Sequence, residues 1–193
     1  MSRLPGVDPE GELDARVRDA FDEMTERVGA IPDNLRVLAH KPGYADLLLA
    51  VSAAIDAPTE IDPVLKQMVE LKVARLHGCE YSIDLLEGCL VDKNVGEDEL
   101  HELDFHRDSK LFDERAKLAL TFAEKMVLDA VDDELFALVR RTFSLHETLE
   151  LVVTVALESF YALVNRTLGF KPQGFRERAT ANEPGSAEEE ALR

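Results

Sequence analysis

The residues best suited to chemistry in this 193-residue sequence sit together at His77-Gly78-Cys79. Cys79 opens a stretch that reads as a new helix. Free amides and partial positive charge at a helix N-terminus favour a thiolate there. His77 could serve that thiol as a base, or its ring could simply suit the negative end of the helix it closes. Cys79 is then either a lone reactive thiol or a small buried residue, cysteine being among the most buried residue types. Glu80 follows directly, and a carboxylate close to the sulfur would raise its pKa. Glu70 and Glu80 both read as solvated or paired. Cys89 lies ten residues further along the same helical stretch, roughly 15 Å of rise against a disulfide Cα limit of about 7 Å, so no bond within the chain is expected.

A second chemical candidate stands near the end of the sequence. Glu158 interrupts the apolar run VALESFYALV, where a carboxylate is costly unless paired or protonated. The favoured expectation is a structural pair with Arg166, about two turns on, or with an arginine from another helix. The competing one is a cavity-lining carboxyl with a perturbed pKa and a ligand contact. Asp98 and His101 are three apart, but no facing helix carries the second carboxylate–histidine pair that a di-iron site needs. His77 and Cys79 are too close together and too isolated for a zinc site. No metal and no cofactor is expected.

The elements that must position these residues read as helices throughout. Leu13, Val17, Phe21, Met24 and Val28 recur at three- and four-residue steps, predicting a helix from Pro9 to Val28, ended by Gly29. A short helix is expected at 35–39 and another at 44–55, with a break at Pro58-Thr59. Asp62-Pro63 is a helix start, an N-cap followed by proline at the first position, and Gly78 ends that helix. The next is expected from about Cys79 to Val91, then a short one over 97–103 and two more over 114–128 and 132–143. Ser144 with Glu147 forms a capping box for a final helix to Leu168. That helix is apolar on nearly every face, which implies burial inside a subunit and between subunits. Residues 1–11 read as a flexible N-terminus, 12–172 as one helical domain, and 173–193 as a mobile acidic tail.

Composition narrows the function classes. Hydrophobic residues make up 46 % and charged residues 32 %, a globular balance. The 39 Asp and Glu outnumber the 22 Lys and Arg, for a net charge of −17. Nucleic acid and anionic lipid require Lys and Arg against phosphate, so neither is an expected partner. The acids are spread along the chain, which suits a salt-adapted surface where screening removes self-repulsion. Two cysteines are too few for a secreted disulfide scaffold, and the start shows no apolar signal segment, so a reducing cytoplasm is expected.

The stretch ELKVARLHGCEYSIDLLEG, residues 70–88, resembles the signature helix pair of the alkylhydroperoxidase D-like / carboxymuconolactone decarboxylase-like family. The likeness extends over about residues 12–170, through IPDNLRVLAH at 31–40, FDERA at 112–116 and NRTLG at 165–169. It implies an all-α, AhpD-like domain of about seven to nine helices, with Cys79 at the turn of an antiparallel helix pair. It also implies a homo-oligomer, a trimer or hexamer. In the family a Cys-x-x-Cys pair works with a glutamate twelve residues before the first Cys and a histidine four after the second. Here the first cysteine is Cys79, but the glutamate position holds Gln67, the second cysteine Ser82 and the histidine Leu86. Tyr81 matches the aromatic commonly found between the two cysteines, and packing or a pocket wall is its expected role. A serine cannot close a disulfide or, without a base, act as a nucleophile. The resemblance therefore implies a protein that has lost dithiol peroxidase chemistry. What remains is a single-cysteine redox or small-molecule-binding protein, a non-catalytic assembly module, or a residual antioxidant activity.

Overall fold

The computed structural model describes residues 2–28, 30–57 and 59–181. The breaks expected at Gly29 and Pro58, and the acidic segment from residue 182, lie outside the described residues. Among the described residues the chain forms ten α-helices and one 3-10 turn, without a strand. In order these are α1 (Ala15–Val28), α2 (Asp33–Leu38), α3 (Pro42–Asp56), α4 (Pro63–His77), α5 (Glu80–Val91), α6 (Glu97–Glu102), the 3-10 turn Leu103–Phe105, α7 (Glu114–Val127), α8 (Asp133–Thr142), α9 (Leu145–Leu168) and α10 (Phe175–Ala181). No helix of the described residues is long and apolar enough to cross a membrane.

The described residues group into two compact units. One holds the residues up to 57 with 167–171; the other holds 59–166 with 172–181. In the first, α1 and α2 both pack on α3. Helix α1 starts at Ala15 rather than Pro9, because Gly11 turns back onto the carbonyl of Asp8 and Asp14 Oδ1 accepts the amide of Arg16 as a cap. The N-terminal stretch expected to be flexible is fastened to this unit. Arg3 N donates to Leu168 O at 2.7 Å and Val7 N to Arg36 O at 3.0 Å.

The second unit is built around α4. Asp62 Oδ1 accepts from Val64 N at 3.0 Å and Leu65 N at 2.9 Å, and Pro63 fills the first position. From Leu65 to Ala74 only Gln67 escapes full burial, so α4 is a core helix on every side. Helices α5 and α7 pack against it, with Leu71, Leu90, Leu120, Phe122 and Leu151 among the largest fully buried side chains. Cations of this unit are paired: buried Lys72 lies 3.7 Å from both Asp104 and Glu124, and half-buried Arg75 lies 2.7 Å from Glu87.

Residues 175–181 are a helix packed on α5, not the start of a tail. Asp84, one turn into α5, accepts from the amides of Gln173, Phe175 and Arg176, and Arg176 bridges Glu87 and Glu97. Gly88 makes the approach possible: a Cβ there would stand 2.9 Å from the backbone carbon of Phe175. Because backbone cannot yield as a flexible side chain does, Gly88→Val is expected to displace α10 and cost about 1–3 kcal/mol. Urea unfolding together with limited proteolysis at 175–181 reads this, and an unchanged midpoint with intact protection would contradict it.

Candidate functional site

A two-helix turn sets the site. Gly78 takes the left-handed conformation at φ 63° that ends α4. Its amide bonds Arg75 O, and the amide of Cys79 bonds Ala74 O at 2.9 Å, closing a Schellman turn. Cys79 then serves as the N-cap of α5, its carbonyl accepting from Ile83 N at 2.9 Å. One residue thus finishes one helix and opens the next, as the sequence suggested.

The Cys79 side chain is 1 % exposed. Its sulfur donates to Ser82 Oγ at 3.3 Å, one turn into α5. Ser82 is itself buried and bonds the Glu158 carboxyl on α9. Thiol, hydroxyl and carboxyl therefore form one buried chain drawn from α5 and α9. Glu158 is 5 % exposed. Burial pushes its pKa from 4.5 up to about 8; the Ser82 hydrogen bond works against the rise and the Glu70 charge adds to it. At neutral pH the carboxyl is mostly protonated.

This overturns the expected arginine pair. Arg166 is exposed, and its charge bears on His77 instead. Glu70, a buried carboxyl, acts electrostatically on Glu158. His77 does not carry its charge toward the helix end: Nε2 pairs with Ser159 Oγ at 3.0 Å, and burial and then Arg166 lower its pKa. The structure gives it no bond to Cys79.

The other positions singled out in the sequence lie on α4 and α5. Gln67 lies one turn before Glu70 on α4. Among the described residues, Gln67 Oε1 and Glu158 Oε1 are buried side-chain oxygens without a hydrogen-bond partner. Leu86 is a core residue, and Tyr81 is buried with its ring edge-on to Phe175, centroids 6.2 Å apart. Neither Cys79 nor Cys89 is in a disulfide. No cluster of three His, Cys, Asp or Glu suited to a metal occurs among the described residues. Glu158 as a partner of Ser82 is what the sequence did not reveal. Its only signal there was a carboxylate in an apolar run.

Helix α9 is not covered on every side. Leu149, Val153 and Leu163 are 53 %, 48 % and 56 % exposed, a stripe at three- and four-residue steps continued by Ala156.

Comparison with known proteins places this geometry in a wider setting. The model of the carboxymuconolactone decarboxylase family matches residues 42–125, from the start of α3 to near the end of α7. The uncharacterized protein YnjA of Escherichia coli (strain K12) is 27 % identical over 116 residues, which are 59 % of this chain and 64 % of YnjA, less than two thirds of its length. An uncharacterized peroxidase-related protein from Ralstonia eutropha JMP134, described as an alkylhydroperoxidase AhpD core, superposes with a TM-score of 0.77 at 18 % identity, covering 91 % of this chain and 94 % of that one. The debrominase Bmp8 superposes with a TM-score of 0.74 at 18 % identity, covering 86 % and 90 %. It has also been solved as a cysteine-to-alanine variant in complex with 2,3,4-tribromopyrrole. These structural likenesses establish an AhpD-like fold.

Proposed function

The chain carries a carboxymuconolactone decarboxylase family region over residues 42–125 on an AhpD-like fold, and from that premise we propose that it is a single-cysteine redox protein without dithiol peroxidase chemistry. The observation that supports this reading is the Cys79–Ser82–Glu158 chain. Ser82 stands 3.3 Å from the sulfur, where a second thiol would have to be. Glu158 supplies the proton acceptor and donor that the sequence seemed to lack. With a pKa of about 8 it exchanges protons near neutrality.

A balanced cycle needs an external thiol. The Cys79 sulfur attacks an O–O bond of a hydroperoxide, which breaks. Glu158 gives its carboxyl proton to the leaving alkoxide, which departs as alcohol, and the thiol proton passes through Ser82 to the carboxylate so formed. Cys79 is left as sulfenic acid. A small thiol condenses with it, releasing water and forming a mixed disulfide. A second small thiol restores Cys79 and leaves as a free disulfide. A reducing cytoplasm supplies such thiols, and we place the protein there. The exposed stripe of α9 supports a homo-oligomer, a trimer or hexamer, as the working form.

Likeness to a debrominase supports a second reading, thiol-dependent removal of bromine from a small heterocycle. Sulfur would take the bromine, the ring carbon would take a proton, and external thiols would reduce the S–Br bond with loss of bromide. The protonated Glu158 favours it, because carbon needs that proton.

The test is chemical trapping. Reduced protein treated with one equivalent of hydroperoxide and a sulfenic-acid trap is expected to gain one adduct, at Cys79. Glu158→Gln is expected to slow the reaction about 10–100-fold, the usual span for a lost proton-transfer group. Adducts at Cys89 alone, or unchanged rates in Glu158→Gln, would overturn the reading. Bromide release from a bromopyrrole with excess thiol decides for the second reading.

A further inference from the structure

Helix α10 is held to α5 by charge far more than by apolar burial. Among its residues only Ala179 is buried, a methyl-sized apolar contribution. The polar fastenings are several. Asp84 accepts the amide of Gln173 at 2.7 Å and those of Phe175 and Arg176 at 3.2 Å. Arg176 spans two carboxylates, Glu87 on α5 and Glu97 at the start of α6. Arg178 turns its charge back onto its own segment, over the Phe175 ring at 4.8 Å and onto Gln173 O at 2.7 Å. The rest of the unit does not need these contacts. When Glu87 Oε2 loses Arg176, Oε1 still holds Arg75 at 2.7 Å, and Arg75 also reaches Asp104 at 3.1 Å and Leu100 O at 2.9 Å. Gly174, left-handed at φ 72°, places a bend just before α10.

From the three-amide cap on Asp84 and the Arg176 bridge we propose that α10 is a releasable strap, latched onto α5 by charge and loosened as ionic strength rises. Salt acts on strap and body with opposite signs. The chain carries a net charge of −17, so screening relieves self-repulsion in the body. The strap sequence FRERATA has two arginines against one glutamate, and it faces Asp84, Glu87 and Glu97. Screening there removes attraction. The Glu97 side chain, 67 % exposed, gives way first, while Glu87, 8 % exposed, is shielded from salt and keeps a residual hold. Release bares the stripe of α5 that carries Tyr81, Asp84 and Gly88, at three- and four-residue steps. Ser82, which bonds Cys79, is not on that stripe, so the strap works independently of the thiol chemistry.

Amide hydrogen exchange of the full-length protein tests the strap. Between roughly 0.05 and 1 M potassium chloride, protection of the Gln173, Phe175, Arg176 and Arg178 amides is expected to fall about three- to ten-fold. Protection in α4 and α7 is expected to hold or rise. Arg176→Gln removes the bridge. It is expected to lower protection of the other three amides about ten-fold at low salt and to flatten their salt dependence. Native-like protection of α4 and α7 in the variant shows that the body is folded. Should Arg176→Gln unfold the body, Glu97→Gln, an exposed change, is expected to give a smaller loss of the same sign in the strap. Strap protection that ignores salt, a parallel fall in α4 and α7, or strap protection in these variants equal to the native protein would each overturn the proposal.

Discussion

Glu158→Gln should be more stable than the native protein at pH 8, by on the order of 5 kcal/mol. The sign follows from proton counting. In the unfolded chain the carboxyl ionises near 4.5, and in the folded protein near 8. Between those values the folded state holds a proton that the unfolded state has released. Folding therefore takes up a proton, and stability falls as pH rises from about 4.5 to 8. Glutamine has nearly the same shape and no such proton, so its stability curve lacks this decline. The two proteins should be close to parity near pH 4 and diverge steadily above it. Against a typical total of about 5–15 kcal/mol the difference at pH 8 is large. Urea unfolding of both proteins from pH 4 to 8 measures it, and parallel curves would show that the carboxyl is not buried neutral. The same substitution is expected to slow Cys79 oxidation, so stability and reactivity move in opposite directions, a pattern common where a strained site is retained for use.

Ser82→Cys is expected to restore a closing pair. Positions three apart on a first helical turn lie about 5–6 Å apart between Cβ atoms, and the Cys79 sulfur already sits 3.3 Å from the side-chain oxygen of residue 82. A sulfur–sulfur bond of about 2 Å needs the Cβ atoms to close to about 3.5–4.5 Å, a movement open to Cys79 because it caps α5 with extended backbone. Mild oxidation should convert the variant to an intramolecular disulfide, lowering its mass by two hydrogens and removing two titratable thiols. The native protein under the same conditions should retain both Cys79 and Cys89 as monomeric thiols. Hydroperoxide turnover that passes through this internal disulfide should appear in the variant and be absent from the native chain, whose Cys79 forms a mixed disulfide with the external thiol instead. A native protein that closes an internal disulfide during turnover, or a Cys79–Cys89 bond between protomers, would remove the distinction.

What the sequence revealed and what it hid divide along physical lines. Features set by neighbours in the chain were legible. Asp62-Pro63 begins α4, Gly78 ends it, and Ser144 and Glu147 exchange the reciprocal bonds of a capping box at 2.7 and 3.1 Å. The helical class and the place of Cys79 at a helix entrance follow from such local signals. Features set by distant partners were not. FRERATA, residues 175–181, is short and charged, and reads as tail because its cap is Asp84 and its ion pairs are Glu87 and Glu97, some 80 to 90 residues earlier. Phe175 and Ala179, four apart, were the faint sign of a buried face. Glu158 was conspicuous, but the expectation of an arginine was wrong because electrostatic convention favours a pair. The fold instead gives it a hydroxyl from α5 and a second carboxyl from α4. The apolar circumference of α9 was read correctly, yet one stripe of it remains exposed in the single chain.

The proposed thiol chemistry requires a proton on Glu158, and that proton can be observed directly. Carbon-13 NMR of glutamate-labelled protein, with the Glu158 carboxyl assigned by its disappearance in Glu158→Gln, reports its titration. A midpoint near pH 8 is the expected result. A midpoint in the ordinary glutamate range, near 4 to 5, would mean an ionised carboxylate beside Ser82 at neutral pH, with no proton to give and no place for the chemistry proposed.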